Sequence, residues 1–299
     1  MRFAFVTKLV LMAVCVGLAV NAAQAARWVG SGDRGKWSDA QNWSGGVLPA
    51  NDGTEEIVFG GTRNTAVHLD AAWDVKSVMF DSSAGAFTFE GQVLTVQGAG
   101  DVESKTINNR SMNKQTFVST IKLGQNQGWY NAKASGRLIF NGGIETNGCE
   151  FRVNSEGVVH INGPITGDGV IKRNGAGTLV LASVGSDFSG YAPGAYNGTL
   201  VFTQDVPLDA KGPFGRGNAW NPVFLGASGN SNASLLAGGA VTMERTVLIN
   251  PTGRGSATVG GKTQGESTFS GDIILGQDGQ PAAAVSLTAA KNGIVTFAG

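Results

Sequence analysis

The chain holds two cysteines and two histidines in 299 residues, and these shortages close off most site chemistry. Cys15 falls in an N-terminal leader described below, which leaves Cys149 alone, and a single thiol forms no intramolecular disulfide. A nucleophilic Cys149 would need a base beside it. Only His68 and His160 exist, and nothing near Cys149 in sequence would lower its pKa. Both histidines alternate with apolar neighbours and read as outward strand residues, with no third nitrogen or sulfur ligand at zinc spacing. Charge is sparse as well: 15% of residues are charged, 22 basic against 22 acidic. No basic run exceeds two residues, so the footprint of a nucleic-acid binder is missing. The carboxylates Asp39, Asp52, Glu55, Glu56, Asp101, Glu103, Glu145, Glu150 and Asp168 are scattered. The adjacent Glu55 and Glu56 would point to opposite faces of a strand, so they read as solvated charge rather than as the pair that glycoside cleavage needs. These absences predict no catalytic residue, no cofactor and no metal, although a site assembled across turns stays open.

Long apolar runs are confined to the start of the chain. Arg2 and Lys8 precede the run Leu9 to Val20, which is short for a membrane span, and Ala23-Gln24-Ala25 supplies small residues for a signal peptidase. We expect residues 1–25 to be a signal peptide cleaved between Ala25 and Ala26. Without Arg2 and Lys8 the remaining 274 residues carry 20 basic against 22 acidic side chains, and no second segment predicts a spanning helix. Helical periodicity is missing too. No window holds a 3.6-residue apolar stripe over three turns, and Ala71 to Val75 has room for one helical turn at most.

What the chain has is glycine, 46 residues of it, about twice the usual share. Each glycine inside a helix costs about 1 kcal/mol, whereas turns and bulges between strands use its freedom. Short β-rich runs recur along the whole length. They are Glu56 to Phe59, Ala66 to Leu69, Ser77 to Phe80, Ala86 to Phe89, Val93 to Val96, Phe117 to Ile121, Arg137 to Phe140, Glu150 to Val153, Gly157 to Ile161, Ala240 to Met243, Thr246 to Ile249, Ser267 to Phe269, Ala284 to Leu287 and Gly293 to Phe297. An apolar residue, a spacer, glycine, a spacer and an aliphatic residue repeat as Phe89 to Val93, Phe140 to Ile144, Ile161 to Ile165 and Phe269 to Ile273. That pattern predicts a strand, a glycine corner and a return strand. Strands so brief cannot bury an apolar face alone and must stack on others of their kind, in rungs of ~20–25 residues.

The densest stretch is residues 169–202, with strands at Val170-Ile171, Thr178 to Leu181 and Thr199 to Phe202. Its residues Lys172, Gly175, Gly177, Thr178, Leu179 and Leu181, followed by Gly190 and then Gly198, Thr199 and Leu200, resemble the autotransporter-associated β-strand repeat, or passenger-associated transport repeat, of exported bacterial proteins. Ala182 to Asp187 departs from that family's usual link between the two halves. Trp28-Val29-Gly30, Trp37-Ser38 and Asn42-Trp43 to Pro49 are similar to the lead-in of such proteins. The resemblance implies an all-β, right-handed parallel β-helix, exported to the cell surface or beyond, without enzymatic activity. Phe297-Ala298-Gly299 begins another corner signature, which suggests a truncated remnant of a longer passenger as one alternative.

The expected organisation is a lead-in with first rungs over 26–135, rungs with the best-formed repeat over 136–205, and further rungs over 206–299 with a loop-rich excursion at 211–234. Trp220 in that excursion reads as a loop anchor packed on the scaffold, with a ligand platform as the competing use. Trp28, Trp37 and Trp43 read as a cap over the first rung, with a sugar-stacking platform as the competing use. Function is expected as a scaffold in surface architecture or adhesion, its extracellular partner a glycan or a host or neighbouring surface. A carbohydrate-binding or polysaccharide-cleaving β-helix is the alternative.

Overall fold

The computed structural model describes residues 25–217, 220–226, 232–249, 255–276 and 284–299. The expected leader up to Gln24, and residues 218–219 and 227–231 of the expected excursion, lie outside the described residues. The chain is all-β, and every strand pairing described is parallel. It runs repeatedly through three sheets. In one turn Glu150–Asn154 lies in the first sheet, Val158–Ile161 in the second and Ile165–Gly167 in the third, after which Val170–Asn174 returns to the first. Among the described residues the first sheet has eleven strands, the second ten and the third six. A separate three-stranded sheet of Thr242–Met243, Gly265–Phe269 and Gly293–Phe297 takes the third position in the last turns. The whole is a parallel β-solenoid of about 9 turns.

Period-two alternation decides what fills the interior. In the second sheet Val67, Phe89, Phe117, Phe140, Ile161, Leu181 and Phe202 are successive register partners, all buried. Stacking like on like brings rings face to face: Phe89 and Phe117 are 4.8 Å apart, and Phe117 and Phe140 are 5.0 Å apart with planes 5° from parallel. The outward members of the same strands, such as His68 and His160, are exposed or half-buried, as the alternation predicts.

The glycine corners have a steric cause. At the turn from second to third sheet, the N–H groups of Asn162 and Gly163 both donate to the Phe140 carbonyl, 2.8 and 3.1 Å away. Those of Asn141 and Gly142 do the same to Phe117. Corners therefore sit directly on corners, and a Cβ on Gly163 would lie 1.9 Å from the Gly142 carbonyl oxygen. Gly143, also in a corner signature, has nothing nearer its hypothetical Cβ than 3.6 Å. Gly163→Ala should lower stability by about 1–3 kcal/mol, while Gly143→Ala stays within about 0.5 kcal/mol of the parent, as read by denaturant unfolding. Equal losses at both positions would refute stacking as the reason for these glycines. The fourth copy, Phe269 to Ile273, turns from the three-stranded sheet into the first sheet instead.

Four expectations are corrected. Ala71 to Val75 forms no helical turn, because Trp73–Val75 is a strand pairing with Leu94–Val96. Phe117 to Ile121 is not one strand: Lys114–Phe117 ends at a corner and Ile121–Leu123 begins the next side. Rung length varies more than ~20–25 residues, from 20 between Val159 and Leu179 to 35 between Leu200 and Leu235. The stretch 211–234 is not all excursion, since Val223–Leu225 is a strand of the first sheet between Gly194–Ala195 and Val247–Ile249.

Candidate functional site

The repeat residues form a packing device rather than a convergent site. Gly175 and Gly198 take φ of 105° and 74°, which L side chains rarely adopt. A Cβ on Gly177 would meet the Gly157 carbonyl oxygen at 2.2 Å, one on Gly198 would meet that of Gly175 at 2.2 Å, and one on Gly190 would meet that of Gly169 at 2.4 Å. After these corners Leu179 and Leu181 point inward and pair with Leu200 and Phe202, while Thr178 pairs with Thr199.

Lys172 lies outside, in a charge ladder on the first sheet. Its Nζ is 2.7 Å from Glu150 Oε2, Arg152 Nε is 2.7 Å from Glu150 Oε1, and Arg152 Nη1 reaches Glu103 at 3.0 Å. Burial pushes the Glu150 carboxyl up, but the hydrogen bonds from Lys172 and Arg152 outweigh it and hold the group below the usual carboxylate range. A lowered folded-state pKa means stability that is present at neutral pH and lost as pH falls through the carboxylate range. Glu150→Gln should therefore cost about 1 kcal/mol or less at pH 7, and the difference should shrink to nothing in acid. A deficit independent of pH, in thermal melts from pH 7 to pH 3, would contradict the ladder.

The three lead-in tryptophans are buried. Trp28 and Trp43 meet edge to face at 5.1 Å, Trp37 and Trp43 at 5.0 Å, and all three pack on Phe59 of the first full turn. Trp43 Nε1–H donates to the Trp37 carbonyl at 2.7 Å. Their faces are spent on one another, which is the geometry of a cap. Trp220 reverses its expectation. It is 87% exposed, not buried against the scaffold.

A buried guanidinium ties the 211–226 segment to the scaffold instead. Arg245 is buried, and its Nη1 donates to the Phe214 carbonyl at 2.7 Å and its Nη2 to the Asn221 carbonyl. Asn221 in turn accepts from the Ala192 N–H at 2.8 Å and donates to the Gly190 carbonyl at 3.2 Å. Outside, Asp187 takes ion pairs from Arg216 and Lys211, each at 2.9 Å, which lower its pKa to about 2. Arg173 is the second buried arginine, fully enclosed, donating to the carbonyls of Val153, Asn174, Ser155 and Gly177. Burial lowers both guanidinium groups to about 10. Sequence reading missed both, although a signal existed. Counting in twos from Ile171 and from Met243 puts Arg173 and Arg245 on the inward face.

Cys149 is buried and its thiol is pushed up by desolvation, the reverse of an activated nucleophile. His160 is lowered, first by burial and then by Arg137 and Lys262. Among the described residues no group of three or more His, Cys, Asp and Glu side chains could hold a metal ion, and no helix is long and apolar enough to cross a membrane.

One concavity on the flank combines charge, apolar surface and an unsatisfied polar group. It lies on the outer face of the first sheet, beside the long link between Leu94–Val96 and Ile107–Asn109, and measures about 400 Å³. Val58, Met79 and Asn108 are register partners across its floor, with Lys76, Lys105 and Arg110 around it. Another opening, of about 350 Å³, lies at the last turn between Phe269, Ile273, Val285, Leu287 and Phe297, and it is apolar. Comparison with known protein families, with curated proteins and with solved structures finds no match.

Proposed function

We propose that the chain is a non-enzymatic β-helix scaffold that works outside the cytoplasm, in surface architecture or adhesion, as the passenger proteins that residues 169–202 resemble do. The observation that carries this reading is the construction of the shaft. Inward apolar ladders, corner glycines stacked carbonyl to Cα, and outward charged rows such as Glu103, Arg152, Glu150 and Lys172 make a long regular surface of small strands. Such a surface suits extended contact with another surface, because each turn repeats the geometry of the one before. The leader sequence supports export. Cleavage after Ala25 would leave Ala26, which already pairs with Ile57 in the first sheet, as the mature N-terminus.

The test is expression in a bacterial host, followed by fractionation and N-terminal sequencing of the recovered protein. The proposal expects protein outside the cytoplasm that begins at Ala26 and is open to protease on intact cells. A chain retained in the cytoplasm with Arg2 and Lys8 still attached would contradict it.

A further inference from the structure

The concavity on the first sheet contains a polar group that the fold itself leaves unanswered. Asn108 is only 3% exposed, and its Oδ1 is buried without a hydrogen-bond partner among the described residues. Buried polar groups are nearly always paired, and an unpaired one costs stability, so each exception calls for an explanation. The neighbouring asparagine shows the contrast. Asn109, facing inward, bonds the Asn113 carbonyl at 3.1 Å and Asn131 Oδ1 at 3.3 Å. Asn108 is instead placed outward between Met79 and Tyr130 in register, where it lines the groove.

The surroundings define what would answer it. Lys76 Nζ is held by Glu56 Oε1 at 2.8 Å, so that pair is close to neutral. Lys105 Nζ lies 4.6 Å from the centre of the Tyr130 ring and has no carboxylate partner among the described residues. Arg110 is exposed, and its guanidinium likewise meets no carboxylate there. Two uncompensated cations favour an anion, and the planar fork of an arginine favours a carboxylate. Val58 and Met79 give the floor an apolar strip, which suits the C–H face of a ring. An amide can both accept from and donate to hydroxyl groups. A bare inorganic anion would leave the amide oxygen and the apolar strip unanswered, and a neutral sugar would leave the two cations without a counter-charge.

We infer that this groove binds a sugar acid, a hydroxylated ring bearing a carboxylate, with Asn108 taking ring hydroxyls and Arg110 and Lys105 taking the carboxylate. Its volume of about 400 Å³ falls in the range of small-ligand sites and holds one or two such rings. The site stands on this geometry and is independent of the compartment in which the scaffold works.

Titration calorimetry on the purified protein tests it with three probes: digalacturonate, the corresponding neutral digalactose, and inorganic sulfate. Digalacturonate should bind at least roughly tenfold more tightly than either of the others, and more weakly as salt is raised. Asn108→Leu should reduce that affinity roughly tenfold or more and at the same time raise the melting temperature, because it removes an unpaired buried amide. These opposite movements separate a lost site from a damaged fold. Arg110→Gln, at an exposed position, should weaken binding to a similar degree without changing the melting temperature. Equal affinity for the acidic and neutral sugars would overturn the inference. So would sulfate matching digalacturonate, a lowered melting temperature with unchanged affinity in Asn108→Leu, or no digalacturonate binding at millimolar concentration.

Discussion

Replacing Trp37 by alanine is expected to lower stability by about 3–5 kcal/mol, as for other fully buried large aromatic residues. The side chain is wholly enclosed at the N-terminal end of the solenoid, against Trp43, Phe59 and Trp73 at ring distances of 5.0, 5.9 and 5.7 Å. Its backbone also links layers, because its N–H donates to the His68 carbonyl at 2.9 Å while its carbonyl accepts the indole N–H of Trp43. Losing the ring opens the apolar end of the coil to water, and the damage should spread inward from the first turn. Hydrogen exchange would show it as faster exchange at Ile57 to Phe59, with little change at Leu179. Trp37→Phe should be much milder, since the Trp37 Nε1–H is itself buried without a partner. Denaturant unfolding of the two variants decides the matter. An alanine variant as stable as the parent would mean that the indoles are not a cap.

Arg173→Ala is expected to cost a similar amount, about 3–5 kcal/mol, whereas Lys172→Ala, one residue earlier, should cost about 1 kcal/mol or less. The two side chains leave the same strand on opposite faces. Lys172 is a partly buried rung of the outer charge ladder. Arg173 occupies an interior position between Val153 and Ala195, where the small alanine leaves room for it. Its removal strips donors from the carbonyls of Val153, Ser155 and Gly177 and leaves a cavity. The pH dependence has a definite sign. Burial lowers the folded-state pKa to about 10, with a smaller opposing pull from Glu156, so folding penalises the charged form. The arginine is protonated in both folded and unfolded chains below that value, so the Arg173→Ala deficit should be flat from pH 6 to pH 9. A deficit confined to Lys172→Ala would reverse the assignment of inside and outside on this strand.

The parallel coil was legible in sequence because its cause is local. Runs such as Arg137–Phe140, Thr178–Leu181 and Gly293–Phe297 alternate cleanly, and the corner signature repeats where carbonyl and Cα must touch. What escaped were elements too short to alternate. Asp187–Phe188 and Gly194–Ala195 are strands of two residues that exist because neighbouring turns supply hydrogen-bond partners. Trp73–Val75 was missed for the same reason. The groove was less legible still, since Val58, Met79 and Asn108 lie tens of residues apart and meet only through the register of the first sheet. Trp220 was misread because burial was argued from residue type, while Arg245 carries the anchoring instead.

The central claim is that consecutive strands climb a single stack, one inter-strand spacing per turn. Spin labels at the outward positions Lys114 and Ser286, in a Cys149→Ser background, test it by pulsed electron resonance. The register runs from Lys114 through Arg137, Val158, Thr178, Thr199, Ser234 and Thr258 to Ser286, seven spacings. At about 4.8 Å per spacing the separation between the two backbones should be ~34 Å, and a label moved from Ser286 to Thr199 should bring it to ~19 Å. Distances that fail to grow with each turn, or a broad distribution spanning both values, would contradict the coil.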